Sequence, residues 1–271
     1  MKASFLCAVL LCAPVVLAAQ QAPDRSRPPA LGPPPRLVLP TIEKHELKNG
    51  LDVWLVERHE VPLVQVNLLV HAGSGDDPAG AFGLASLTAA MLDEGAGALS
   101  SLEIADEIDF LGADLGTSSS FDASAVRLNV PVRALERALP IMADVALKPT
   151  FPADDLERLR EERLTALLQA RDDPAAVAAA ALPRILFGDT HRYGTSAVGT
   201  TATITAFTRQ QLAAFHAEQY RPANSTLIVV GDVTAATVLP LLESAFGGWT
   251  GERAAQRAAV SAAPRPRARE V

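Results

Sequence analysis

The stretch "IEKHELKNGLDVWLVERHEVPLVQVNLLVHAGS", residues 42–74, decides how the chain folds. Two apolar-alternating runs flank Asn49-Gly50, a dipeptide that tolerates the positive φ a sharp reversal demands, so the pair reads as a β-hairpin. A third run puts Val64, Val66, Leu68 and Val70 on one face, the period of two expected of a strand with one buried side. Three antiparallel strands are the economical reading.

Downstream, the pattern alternates between helix and strand. "GLASLTAAMLDEGAG", residues 83–97, is framed by glycines and predicts a helix over about Phe82 to Glu94. "SSLEIADEIDFLG" opens with the capping box Ser100-x-x-Glu103, and "LGTSSSFDASAVRLNVP" reads as a second strand pair. Residues 131–187 read as three helices. The middle one carries a capping box at Asp154-x-x-Glu157 and an apolar stripe of Leu156, Leu159, Leu164, Leu167 and Leu168. Its charged face reads as ordinary wet surface, with Glu157 attracting Arg160 and repelling Glu161. A helix capped by Thr208-x-x-Gln211, a buried strand Ser225 to Gly231 and a helix closing at Gly247-Gly248 complete the pattern. The expected class is α+β, a mostly antiparallel sheet covered on one side by helices.

The chain ends read differently. Residues 1–19, with one early lysine, an apolar run and small residues at the end, read as a secretory signal peptide, which predicts export, to the periplasm of a Gram-negative-type cell. Lipid attachment at Cys12 is disfavoured because Leu11 stands where a small residue is wanted. Residues 20–40 are a Pro-rich linker, 41–250 the folded domain, and 251–271 a polar linker leading toward an absent second domain. Cys7 and Cys12 both lie in the signal, so the mature chain has neither disulfides nor thiolate ligands. A net charge of -7 argues against a nucleic-acid partner, and 49% hydrophobic residues suffice for a core.

The segments "HELKNGLDVWLVE", "HAGSGDDPAGAFGLA", "ALKPTFPADDLERLREE", "ARDDP", "FGDTHRYGTSAVGT" and "YRPANSTLIVVGDV", in that order, closely resemble the first domain of the insulinase/pitrilysin family, the inverted zincins. The resemblance spans roughly residues 41–250. In that family the first long helix carries H-x-x-E-H, two zinc ligands one turn apart with the general base between them. Laid on this sequence, the ligands fall on Ser86 and Ala90 and the base on Ala89. The family's third ligand, from a glutamate pair on a later helix, falls on Thr165 and Ala166. Glu161 and Glu162 lie one turn earlier and need a shifted register to substitute. Where active members present Asn-Ala along a substrate-binding edge strand, this chain has Gly116 and Thr117, followed by Ser118; backbone pairing with an extended peptide remains open to it.

Residues outside that pattern have plainer readings. No two of His45, His59, His71, His191 and His216 are spaced as helical metal ligands. Ser86 lacks the glycine elbow or the following lysine of known serine nucleophiles. Asp93 and Glu94, adjacent on a helix, point about 100° apart and read as solvated charges. The resemblance implies a non-catalytic exported subunit with no cofactor of its own. It would pair with a zinc-bearing partner carrying H-x-x-E-H to enclose a peptide-degrading chamber. The alternatives are an active zinc metalloendopeptidase with unrecognised ligands, and a periplasmic peptide-binding or assembly module.

Overall fold

The computed structural model describes residue 32, residues 39–188 and residues 191–251. Residues 1–19, read above as a signal segment, and most of residues 20–40 and 251–271, read as linkers, lie outside the described residues. The chain begins its first ladder with β1 (Glu43–Glu46) and β2 (Asp52–Glu57), paired antiparallel with Glu46 opposite Asp52. The Asn49-Gly50 reversal is present but is wider than a two-residue turn, closed by Leu47 and Leu51. Asn49 instead donates through Nδ2 to the carbonyls of Phe246 and Trp249, both at 2.9 Å, tying the hairpin to the end of the last helix.

The third strand, β3 (Leu63–Val70), does not pair with β2. After helix α1 (Leu84–Ala90) come the short strands β4 (Gly95–Ala96) and β5 (Leu99–Ser100), then α2 (Ser101–Phe110), β6 (Asp114–Ser119) and β7 (Ser124–Pro131). Helices α3 (Leu135–Leu147), α4 (Ala153–Gln169), α5 (Pro174–Phe187), α6 (Thr201–Ala206) and α7 (Arg209–Gln219) follow, then β8 (Ser225–Gly231) and α8 (Ala235–Phe246). The main sheet has the order β1-β2-β8-β3-β7-β6, in which only the β2–β8 pair is parallel.

The three expected antiparallel strands are present but not all adjacent, because β8 inserts between β2 and β3. Five of its seven residues are buried, and an apolar strand of that kind needs a partner on each edge to satisfy its backbone. Register then aligns Leu128, Val66, Val229 and Leu55 in one row and Val126, Leu68, Leu227 and Val53 in the next, all buried. A slip of one residue would turn every row outward. The opposite face is less covered, with Gln65 exposed and Asn67 and Leu69 half-buried. Helices on one side complete an α+β fold. Leu68→Ala, at a fully buried position of the central strand, should cost about 3–4 kcal/mol, read as a lower urea midpoint with unchanged slope.

Several local expectations change. The capping boxes at Ser100/Glu103 and Thr208/Gln211 form as read. Asp154 caps nothing, because Pro152, at φ −62 and ψ 143, is the cap residue and Ala153 already the first helical one. Of the α4 leucines, Leu156 is buried and Leu159, Leu164 and Leu167 pack against the core, but Leu168 is exposed. The α4 surface is not merely wet: Arg160, bound to Glu157, also donates to the carbonyls of Ile204, Thr205 and Phe207. These are the end of α6, a helix the sequence reading passed over. It has its own capping box at Thr200 and Thr203.

Candidate functional site

Helix α1 packs on β6, β7 and α7, and its start is held more firmly than its length suggests. Asp77, whose side chain is fully buried, accepts from the backbone N–H of Gly83 through Oδ2 and of Ala85 through Oδ1, both at 2.7 Å. It thereby satisfies two of the unpaired donors at a helix N-terminus and complements the helix dipole. The Arg192 guanidinium approaches Asp77 Oδ2 at 3.3 Å and lies 4.4 Å over the ring of Phe82. Burial pushes the Asp77 carboxyl up to about 6, against the lowering effect of its backbone donors and of Arg192. Gly83 adopts φ +96, and a Cβ there would meet the Val198 carbonyl at 2.6 Å, so only glycine lets the 198–199 segment close on the helix.

The helix ends at Ala90, four residues before the predicted Glu94, because Gly95–Ala96 must leave it to pair with Leu99–Ser100. Asp93 and Glu94 are consequently not helical, and both are half-buried. Asp93 accepts from Thr117 Oγ1 at 3.4 Å, and burial raises its pKa. Glu94 pairs with Arg158 at 2.5 Å.

Ser86 and Ala90 stand half-buried on one side of α1, and Ala89 is buried at 1% exposure. Thr165 and Ala166 of α4 are both exposed. The residue of α4 that does reach α1 is Arg163. Its Nη1 donates to Ser86 Oγ at 3.2 Å and its Nη2 to the Ser86 carbonyl at 2.8 Å. Burial lowers its pKa. Arg158 binds Glu94, Asp155 and Glu162, and Arg160 binds Glu157, but no carboxylate among the described residues pairs with Arg163.

This donor set does not suit a divalent cation. Two of the three helix positions are methyl groups, the third is a hydroxyl engaged by a guanidinium, and the α4 positions offer no carboxylate. Zinc is held by imidazole, thiolate or carboxylate donors, and no group of three or more such residues gathers among the described residues. His216 is buried against the Ala146 carbonyl, and His59 sits between Asp232 and Glu57 at the far ends of β2 and β8. Among the described residues, Ser86 has no base in contact.

Beside α1, β6 is an edge strand, paired on one side only, with β7. Gly116 and Thr117 are half-buried and Ser118 is exposed; next to Gly116 a Cβ would meet nothing within 4 Å. A cavity of about 510 Å³ opens nearby between α5 and the 194–200 segment, lined by Phe82, Phe121, Ala179, Pro183 and Val198. Helix α5 buries none of its residues, and Val177, Leu182 and Ile185 are 50%, 57% and 76% exposed.

Sequence reasoning missed Asp77 and Arg163. Asp77 caps across a six-residue gap, where no fixed spacing announces it. Arg163 lay within reach of pattern analysis: with Leu156 and Leu167 it shares the inward stripe of α4, so a charge there interrupts an apolar face.

Residues 52–200 match the family model described as Insulinase (Peptidase family M16), and residues 206–271 the model described as Peptidase M16 inactive domain. Among curated proteins, an uncharacterized zinc protease of Mycobacterium leprae is 29% identical over 201 residues, covering 74% of this chain and 45% of its own length. Thus the chain spans about half the length of such relatives. Among solved structures, a peptidase M16 inactive domain from Pseudomonas fluorescens superimposes with a TM-score of 0.78 at 31% identity, covering 84% of this chain and 55% of that one. The periplasmic protease PqqL from Escherichia coli gives a TM-score of 0.75 at 20% identity over 83% and 26% of the two chains, a likeness of fold alone.

Proposed function

The chain belongs to the insulinase family, peptidase family M16, and we propose that it is a non-catalytic member that works beside a zinc-bearing partner with an intact H-x-x-E-H helix. The observation that carries this reading is the replacement of both helix ligands, the base and the later carboxylate by Ser86, Ala90, Ala89 and the Thr165-Ala166 pair, while the helix that would bear them stays anchored by Asp77 and Arg192. Without a base or a bound metal, water activation has no agent, and each such contribution is worth orders of magnitude in rate.

The role left to the chain is enclosure and substrate contact. An extended peptide would add to the free edge of β6 at Gly116, Thr117 and Ser118, drawing affinity from main-chain hydrogen bonds. The exposed apolar face of α5 suits a protein partner, since such surface in contiguous form marks an interaction site. Residues 41–250 form the domain, 20–40 and 251–271 act as linkers, and 1–19 direct export to the periplasm. No helix among the described residues is long and apolar enough to cross a membrane.

The test is reconstitution. Purified alone, the chain should leave an unfolded fluorogenic peptide intact. Mixed with an insulinase-family chain that carries H-x-x-E-H from the same cell, it should form a stable complex and raise that chain's turnover at least tenfold. Chelator-sensitive cleavage by the chain alone, with one zinc bound, would refute the reading.

A further inference from the structure

The Arg163 guanidinium has three of its five N–H donors left once Ser86 takes two. It is half-buried, on the inward stripe of α4, with no carboxylate among the described residues to offset it. Desolvating a cation without a counter-ion is unfavourable, and a leucine or methionine would continue the stripe without that penalty. Ser86, which it touches, and Ala90 both carry small side chains half-buried on one side of α1.

We propose that Arg163 is a carboxylate clamp, and that its ligand is the terminal carboxylate of a peptide lying on the β6 edge. This rests on the peptide-binding role proposed above. A planar carboxylate matches the two-pronged donor face of arginine. Thr117 of β6 touches Asp93, just beyond α1, while Arg163 touches Ser86 in its first turn. Helix α1 packs on β6, so the β6 edge and the guanidinium both adjoin the same helix.

The experiment measures affinity of the full purified chain for an eight-residue Val/Thr/Ser peptide with an N-terminal fluorophore. Three forms are compared: the free acid, the C-terminal amide, and the amide with one internal glutamate. The free acid should bind at least tenfold more tightly than the plain amide, the factor expected of charge-assisted hydrogen bonds. Arg163→Met should abolish that preference, and Arg163→Lys should retain part of it. Ser86→Ala, which leaves the guanidinium in place, should keep the preference and serves if Arg163→Met does not fold. If the internal glutamate alone restores full affinity, the clamp stands and the carboxylate comes from a side chain. Equal binding of acid and amide, or a preference that survives Arg163→Met, overturns the clamp. Failure of all three peptides to bind overturns the peptide-binding role itself.

Discussion

Asp77→Ala should destabilise the chain by about 3 kcal/mol at pH 7, one of the largest losses expected from any single polar residue here. The substitution strips the N–H groups of Gly83 and Ala85 of their acceptor and removes the carboxylate facing Arg192. A lost helix cap costs about 1–2 kcal/mol, and breaking a buried ion pair adds further, because the remaining charge stays desolvated. The 191–203 segment, joined to Asp77 and Phe82 beside the start of α1 through Arg192 and Thr203, should loosen with it. Urea unfolding gives the global figure, and amide exchange at Ala85 and Thr203 shows whether opening starts there. A loss under about 1 kcal/mol would mean that water replaces the carboxylate freely.

The same residue sets a pH dependence with a definite sign. Its folded pKa of about 6 lies above the ordinary 3.8, so the folded state binds the proton more tightly than the unfolded chain does. The proton-linked part of its contribution, separate from the cap and ion pair that Asp77→Ala removes, is fully present below about pH 4 and is lost as pH rises through 6. A rise of roughly two units corresponds to at most about 3 kcal/mol. Comparing wild type with Asp77→Asn between pH 4 and 7 isolates it, since asparagine does not titrate there. The wild type should gain on the variant as the pH falls; a wild type that loses on the variant instead would contradict the burial argument.

The largest expected effect concerns zinc. The wild-type chain should retain no stoichiometric zinc after dialysis against micromolar metal. S86H/A90H/A166E restores three donors, yet it should bind zinc weakly while Arg163 remains, and at least about a hundredfold more tightly once Arg163→Met is added. The guanidinium now contacts residue 86 directly. A single positive charge about 5 Å from a dication is unfavourable by several kcal/mol at an effective dielectric of about 20. Metal content by mass spectrometry and titration calorimetry decide the matter. Equal affinity with and without Arg163 would show that the arginine simply swings aside.

These expectations separate what is written locally from what is not. Ser100 with Glu103, Thr208 with Gln211 and the alternation of Val64 to Val70 are each readable because the groups that interact lie within four residues or on one strand face. Asp154 misled because a proline two residues earlier outranked it as the point where the helix starts. Glu94 misled because the demand of a short ladder at Gly95–Ala96 cut the helix short.

By itself, then, the sequence determined the α+β class, the extent of β8 and the start of α1 through short-range periodicity, and its resemblance to the insulinase family laid the metal and base positions on Ser86, Ala89, Ala90, Thr165 and Ala166. Only the tertiary structure decided that β8 divides β2 from β3, that Asp77 and Arg192 lock the start of α1, and that Arg163 comes to rest on Ser86. Apart from Asp77 with Gly83 and Ala85, six and eight positions apart, those facts join residues between 77 and 174 positions apart in the chain. No local pattern encodes such distances; they follow from which buried faces and which desolvated charges find one another when the core closes.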